Sequence, residues 1–210
     1  MSTRALEKAV AIPLEPSAMA LEGVFIAGAG GDAGAVIAPP HPLYGGSMDS
    51  PVVNELAYAF EIAGISSLRF NWRGVGASAG EPSGESDAAD ADYAAALVHV
   101  EETVPGRVVA SGYSFGAAAA LRSAAGHPRV DRIVLVSPPP SLIDAAALAD
   151  FSGALLIVAG DRDPLAPRAE LEAIAEAAGR ARVAVVPEAD HFFRSGLSEI
   201  SRTVSRWLEI

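Results

Sequence analysis

Cysteine is absent from all 210 residues. Disulfides, thiolate catalysis and cysteine-ligated metals are therefore excluded. No apolar run approaches the roughly 20 residues needed to cross a bilayer. The opening segment, Met1–Lys8, lacks the continuous apolar stretch of a secretory signal, so a cytoplasmic location is expected. Basic residues are few: 15 Lys and Arg against 26 Asp and Glu give a net charge of −11. That surplus disfavours nucleic acid and anionic membrane surfaces as partners and favours solubility.

What is present describes an ordered globular chain, with 50% apolar and 20% charged residues. Its length and even composition fit one domain over residues 1–210. Strand-like and helix-like segments alternate. Lys8–Leu14 and Leu21–Ala27 read as an antiparallel strand pair joined by a short turn. Further strands are expected from Val36 to Ala38, Ile65–Asn71, Val108–Ser111, Ile133–Val136, Leu155–Ala159 and Val183–Val186. Helices are expected over Val52–Ala63, Asp87–Glu102, Phe115–Ala125, Arg168–Ala178 and Leu197–Leu208. Several strands are short, unbroken runs of Val, Ile and Leu, as in strands covered by helices on both faces. The fold class is thus α/β, with a mostly parallel, doubly wound sheet and functional residues at the carboxyl ends of its strands.

Gly112-Tyr113-Ser114-Phe115-Gly116 lies between a strand-like and a helix-like run. A serine on such a tight turn projects its hydroxyl above the sheet. A second G-x-S-x-G, Gly76–Gly80, follows a loop and runs into Glu81-Pro82, which cannot continue as a helix. Context therefore selects Ser114 over Ser78. Gly28–Ala33 satisfies a loose dinucleotide fingerprint, but a strand ended by Pro39-Pro40 follows it instead of a helix, so it reads as a turn. No cofactor and no metal is expected.

A serine hydroxyl needs a base to take its proton, usually a histidine held by a carboxylate. His191 is the one histidine beyond the acid-bearing loop Gly160–Pro167; His41 precedes the serine, His99 lies inside a helix pattern, and His127 sits beside Pro128. Asp161 and Asp163 share that loop, and Asp163, followed by Pro164, is the preferred acid. Asp190 adjoins His191, where neighbouring side chains usually point apart. The backbone N–H of Phe115 is expected to donate to a developing oxyanion. The second donor should come from the loop after Ala38. Prolines 39, 40 and 42 have no N–H, leaving Leu43, the preferred donor, or Tyr44.

His41–Met48, Arg69–Ser78, Gly112–Gly116, Gly160–Pro167 and Asp190–Phe193 together resemble the α/β-hydrolase superfamily. More closely, they resemble its small, capless, dienelactone-hydrolase-like serine esterases. The resemblance implies an α/β-hydrolase fold with Ser114 as nucleophile, Asp163 as acid and His191 as base. It also places the acid three residues after the loop glycine, and it assigns Asn71–Gly80 to shaping the sheet crest. Dienelactone hydrolases themselves use a cysteine, so their substrate does not carry over.

Only Ser137–Phe151 separates two strands where larger relatives carry a cap, which leaves room for a short helix and an open site. Tyr44, Tyr113, Leu142 and Phe192, with Phe115, are candidates to line an apolar pocket. No cluster of basic residues argues for an anionic substrate; Arg73 and Arg162 read as loop braces. The expected partner is a small-molecule ester or thioester cleaved through an acyl-enzyme, and no oligomeric state is assigned. The alternatives are a serine peptidase on short peptides and a non-catalytic binding module on the same fold.

Overall fold

The Val-, Ile- and Leu-rich runs form the middle of an eight-stranded sheet. The structure, a computed structural model, describes residues 6–209. Its strands are β1 (Glu7–Pro13), β2 (Ala20–Ile26), β3 (Gly34–Ala38), β4 (Ser66–Phe70), β5 (Val108–Tyr113), β6 (Val130–Val136), β7 (Ala154–Gly160) and β8 (Ala181–Val186). They lie in the order β1-β2-β4-β3-β5-β6-β7-β8. As the short turn between them requires, β1 and β2 are antiparallel; β2 also meets β4 antiparallel, and every later pairing is parallel.

The helices are α1 (Pro51–Ile62), α2 (Ser86–Thr103), α3 (Phe115–Ala124), α4 (Ala145–Asp150), α5 (Arg168–Ala178) and α6 (Leu197–Leu208). α1 and α6 cover one face, packing on Ala35, Ile37, Val134 and Val136. α2 and α3 cover the other, on Val36, Ala38, Ile133 and Leu135. Alternate residues of the central strands thus face opposite cores, and both cores are apolar, which is why these strands show no polar alternation. Burying a Leu or Ile side chain in this way stabilises the fold by about 1.5–3 kcal/mol.

Every strand boundary lies within three residues of the sequence expectation, and two of the shifts are informative. β5 continues two residues beyond Ser111, carrying Gly112 and Tyr113 to the sheet crest. β6 starts at Val130 instead of Ile133, because Asp131 and Arg132 occupy its half-buried lower end, where polar side chains reach solvent. Between β6 and β7 the chain makes a 3-10 turn at Pro140–Leu142 and the six-residue α4, with no cap domain. Gly28–Ala33 joins β2 to β3 and opens no helix. Among the described residues no helix is long and apolar enough to cross a membrane.

The loop after β4 is braced from beneath. Asp92 of α2, 1% exposed, accepts the Arg73 backbone N–H at 2.9 Å and the guanidinium at 2.9 and 2.6 Å. Removing one partner of such a pair leaves the other charge uncompensated. Asp92→Ala is therefore expected to lower the unfolding free energy by about 3 kcal/mol in urea denaturation; a loss below about 1 kcal/mol would show the brace to be dispensable.

Candidate active site

β5 delivers Ser114 to the crest on a turn that closes at two contacts. A Cβ at Gly112 would lie 2.3 Å from the Gly116 carbonyl oxygen, and one at Gly116 would lie 2.3 Å from the Pro39 oxygen. Only glycine fits either place. Ser114 itself is held at φ 56°, ψ −118°, a region costly for a residue with a side chain. Its backbone N–H donates to the Val136 oxygen at 2.8 Å, pinning the turn to β6. The alanines of α3 are buried, so the helix lies close beneath the crest.

His191 reaches this serine from the loop after β8. Its Nε2 lies 3.0 Å from Ser114 Oγ, and its Nδ1 lies 2.8 Å from Asp163 Oδ2 and 3.0 Å from Oδ1. An ionised carboxylate only accepts, so Nδ1 carries the proton and Nε2 is left to accept from the serine hydroxyl. Asp163 Oδ1 also accepts the Leu165 and Ala166 N–H groups, both at 2.9 Å. Burial alone would push this carboxyl up. The His191 hydrogen bond, the adjacent buried Ser137 hydroxyl and the Ala166 N–H together hold it below the usual carboxylate range.

The other candidates are occupied elsewhere. Asp161 is exposed. Asp190 accepts the Arg194 backbone N–H at 3.1 Å and pairs with its guanidinium at 2.9 Å. Ser78 is buried; its hydroxyl accepts the Glu22 N–H and donates to the Asn71 carbonyl, each at 2.8 Å, so it is a structural serine. Asn71 in turn accepts the Met48 N–H at 2.8 Å and ties down the loop that follows β3.

That loop corrects one expectation. The Leu43 N–H is bound to His41 Nδ1 at 3.2 Å, and the Tyr44 N–H to the His41 carbonyl at 3.1 Å. Both are consumed in closing the 3-10 turn Pro42–Tyr44, so neither is free to meet an oxyanion. The N–H of His41 makes no hydrogen bond to any described residue. Three prolines surround His41, and it alone among residues 39–42 has an N–H to give. Phe115, first residue of α3, keeps an N–H that no intrahelical carbonyl can reach.

A cleft of about 440 Å³ opens beside Ser114, lined by His41, Tyr44, Ser50, Val52, Tyr113, Leu165, His191 and Phe192 among others. Tyr44, Tyr113 and Phe192 are part of that lining; Phe115 is not, nor is Leu142, which sits on the 3-10 turn after β6. Among the described residues, no Asp, Glu, Lys or Arg lines the cleft.

A family model described as Hydrolase_4, serine aminopeptidase, S33, matches residues 43–149, about half of the chain. The chain belongs to this family of serine hydrolases. The hydrolase is similar over its whole length to an α/β serine hydrolase homologue from Coxiella burnetii, with a TM-score of 0.84, 28% identity and 99% of both chains covered. It is also similar to a serine hydrolase without lid from Xanthomonas campestris, with a TM-score of 0.83 and 25% identity over 99% of this chain and 98% of that one. An uncharacterised Rickettsia prowazekii protein is 29% identical over 186 residues, covering 83% of this chain and 77% of its own.

One positioning contact in the hydrolase could not be read from spacing. The Tyr113 hydroxyl, on the residue before Ser114, donates to the His191 carbonyl at 2.8 Å and ties the serine turn to the histidine loop. Burial, and then the Asp163 and Asp190 charges, raise the phenol's pKa and keep it protonated. Tyr113→Phe should cost about 1 kcal/mol in thermal or urea unfolding, the usual worth of one buried hydrogen bond; an unchanged midpoint would show that the contact holds nothing.

Proposed function

We propose that this hydrolase cleaves carboxylic esters or thioesters through an acyl-enzyme. Ser114 Oγ attacks the acyl carbon while His191 Nε2 takes its proton, and Asp163 stabilises the imidazolium that results. The N–H groups of Phe115 and His41 receive the developing oxyanion. His191 then gives its proton to the leaving alcohol or thiol, and a water activated by the same nitrogen releases the acid. The observation that carries this reading is the unbroken run from Ser114 Oγ through both nitrogens of His191 to an ionised, buried Asp163.

A second reading, a peptidase on short peptides, draws support from the family model's own description. An aminopeptidase site needs a negative partner for the free ammonium of its substrate. The absence of a carboxylate from the cleft lining supports the ester reading instead. Rates on p-nitrophenyl esters and acyl-CoA thioesters of graded chain length, set against matched aminoacyl anilides, separate the two. Comparable rates on the anilides would favour the peptidase, and saturable ligand binding without turnover would favour a binding module.

Ser114→Ala should abolish labelling by a fluorophosphonate, and labelling that survives there would remove Ser114 as nucleophile. Asp163→Asn should lower kcat roughly a thousandfold or more, because an amide no longer holds the proton on Nδ1. Asp163, held below the usual carboxylate range, should keep its charge to lower pH than a free aspartate, so the kcat/KM profile should show no loss from its protonation at the ordinary carboxylate pKa.

A further inference from the structure

The turn that presents the proposed His41 donor is closed almost entirely by His41 itself. Pro42 disfavours the helical region for the residue before it, and His41 is extended, at φ −60°, ψ 124°. From there its Nδ1 accepts the Leu43 N–H at 3.2 Å, while its carbonyl accepts the Tyr44 and Gly46 N–H groups, both at 3.1 Å. A ring nitrogen that accepts carries no proton, so this imidazole is neutral with its hydrogen on Nε2. Burial keeps it so, holding its pKa below the usual imidazole value. The groups packed on it are the Tyr44 ring at 4.7 Å, the Phe115 ring at 4.6 Å and the backbone at Gly84. The carboxylates flanking Gly84, those of Glu81 and Glu85, are exposed.

We propose that the His41 side chain is a positioning residue: by accepting the Leu43 N–H on Nδ1, it fixes the turn that aims its own backbone N–H at the oxyanion. The inference rests on the acyl-enzyme reading of Ser114. An oxyanion donor contributes most when its direction is set before the charge develops. The 3-10 turn has one side-chain cap to set that direction, and the cap is this imidazole. Contact with Phe115, which bears the other proposed donor, ties the two together through their own rings.

Two substitutions separate the acceptor from the ring. His41→Phe keeps an aromatic ring against Tyr44 and Phe115 and removes the acceptor. His41→Asn gives up the ring but offers Oδ1 to the N–H two residues on, in an Asx turn. Steady-state kinetics on a p-nitrophenyl ester, well below the melting temperature of each variant, should show kcat down about tenfold or more in His41→Phe, with KM within about twofold. His41→Asn should keep kcat within about threefold of the parent. A ring that merely filled space would give the reverse order. Parent-like kcat in His41→Phe, or an equal loss in both variants, would overturn the proposal. Fluorophosphonate labelling of Ser114→Ala in parallel tests the underlying reading separately: if the label persists there, the nucleophile assignment fails, whatever the His41 variants show.

Discussion

The close approach at Gly112 and Gly116 is the constraint on which the rest depends. Two backbones meet where a side chain would otherwise stand, and the serine between them is forced to φ 56°. Such a conformation costs about 1–3 kcal/mol and persists only where its surroundings over-determine it. Here they do. The Ser114 N–H is tied to β6, Gly116 lies against the Pro39 oxygen of the neighbouring crest loop, and α3 is built of alanines that let it approach the sheet. The same contact at Pro39 brings the first helical N–H of α3 beside the loop that carries His41. One tight turn therefore sets the proposed nucleophile and both proposed oxyanion donors.

The partners of Ser114 were legible in the sequence because topology restricts them. In a parallel sheet with helices on both faces, the loops at the carboxyl ends of neighbouring strands converge. An acid after β7 and a histidine after β8 then have few places to go. Asp163 separates from Asp161 and Asp190 in three dimensions through hydrogen bonds: its carboxylate takes two backbone N–H groups and the imidazole, while Asp190 is drawn off by Arg194. Position along the chain holds no trace of that competition.

The less legible parts share one physical cause. Which N–H is free depends on what every neighbouring acceptor has already taken. Leu43 and Tyr44 carry usable donors as residues, yet the turn they belong to spends both on His41. Tyr113 lay inside the motif, but its hydrogen bond runs to a carbonyl 78 residues away. Leu142 belongs to the segment between β6 and β7, which holds only a 3-10 turn and α4 and lies clear of the cleft. Apolar periodicity locates strands well in the core and poorly at the lower end of β6, where Asp131 is skipped in the pairing with β5 and the half-buried Arg132 pairs with Val109 and Ala154.

An open, uncharged cleft changes what selectivity must rest on. With no cap domain and, among the described residues, no charged side chain in the lining, recognition under the proposed reading falls to apolar contact and to the fixed dipoles at the crest. Apolar contact discriminates weakly, by about 1–3 kcal/mol per methylene. The dipoles discriminate by reaction: a tetrahedral oxyanion gains from two aimed N–H groups, and a planar carbonyl gains less. The rigidity spent on Gly112–Gly116, the Trp72 indole donating to the Pro40 oxygen at 3.0 Å and the closed turn at His41 all act at that one place. Under the proposed acyl-enzyme reading, the fold thus concentrates its precision on the transition state and leaves the substrate's periphery loosely held.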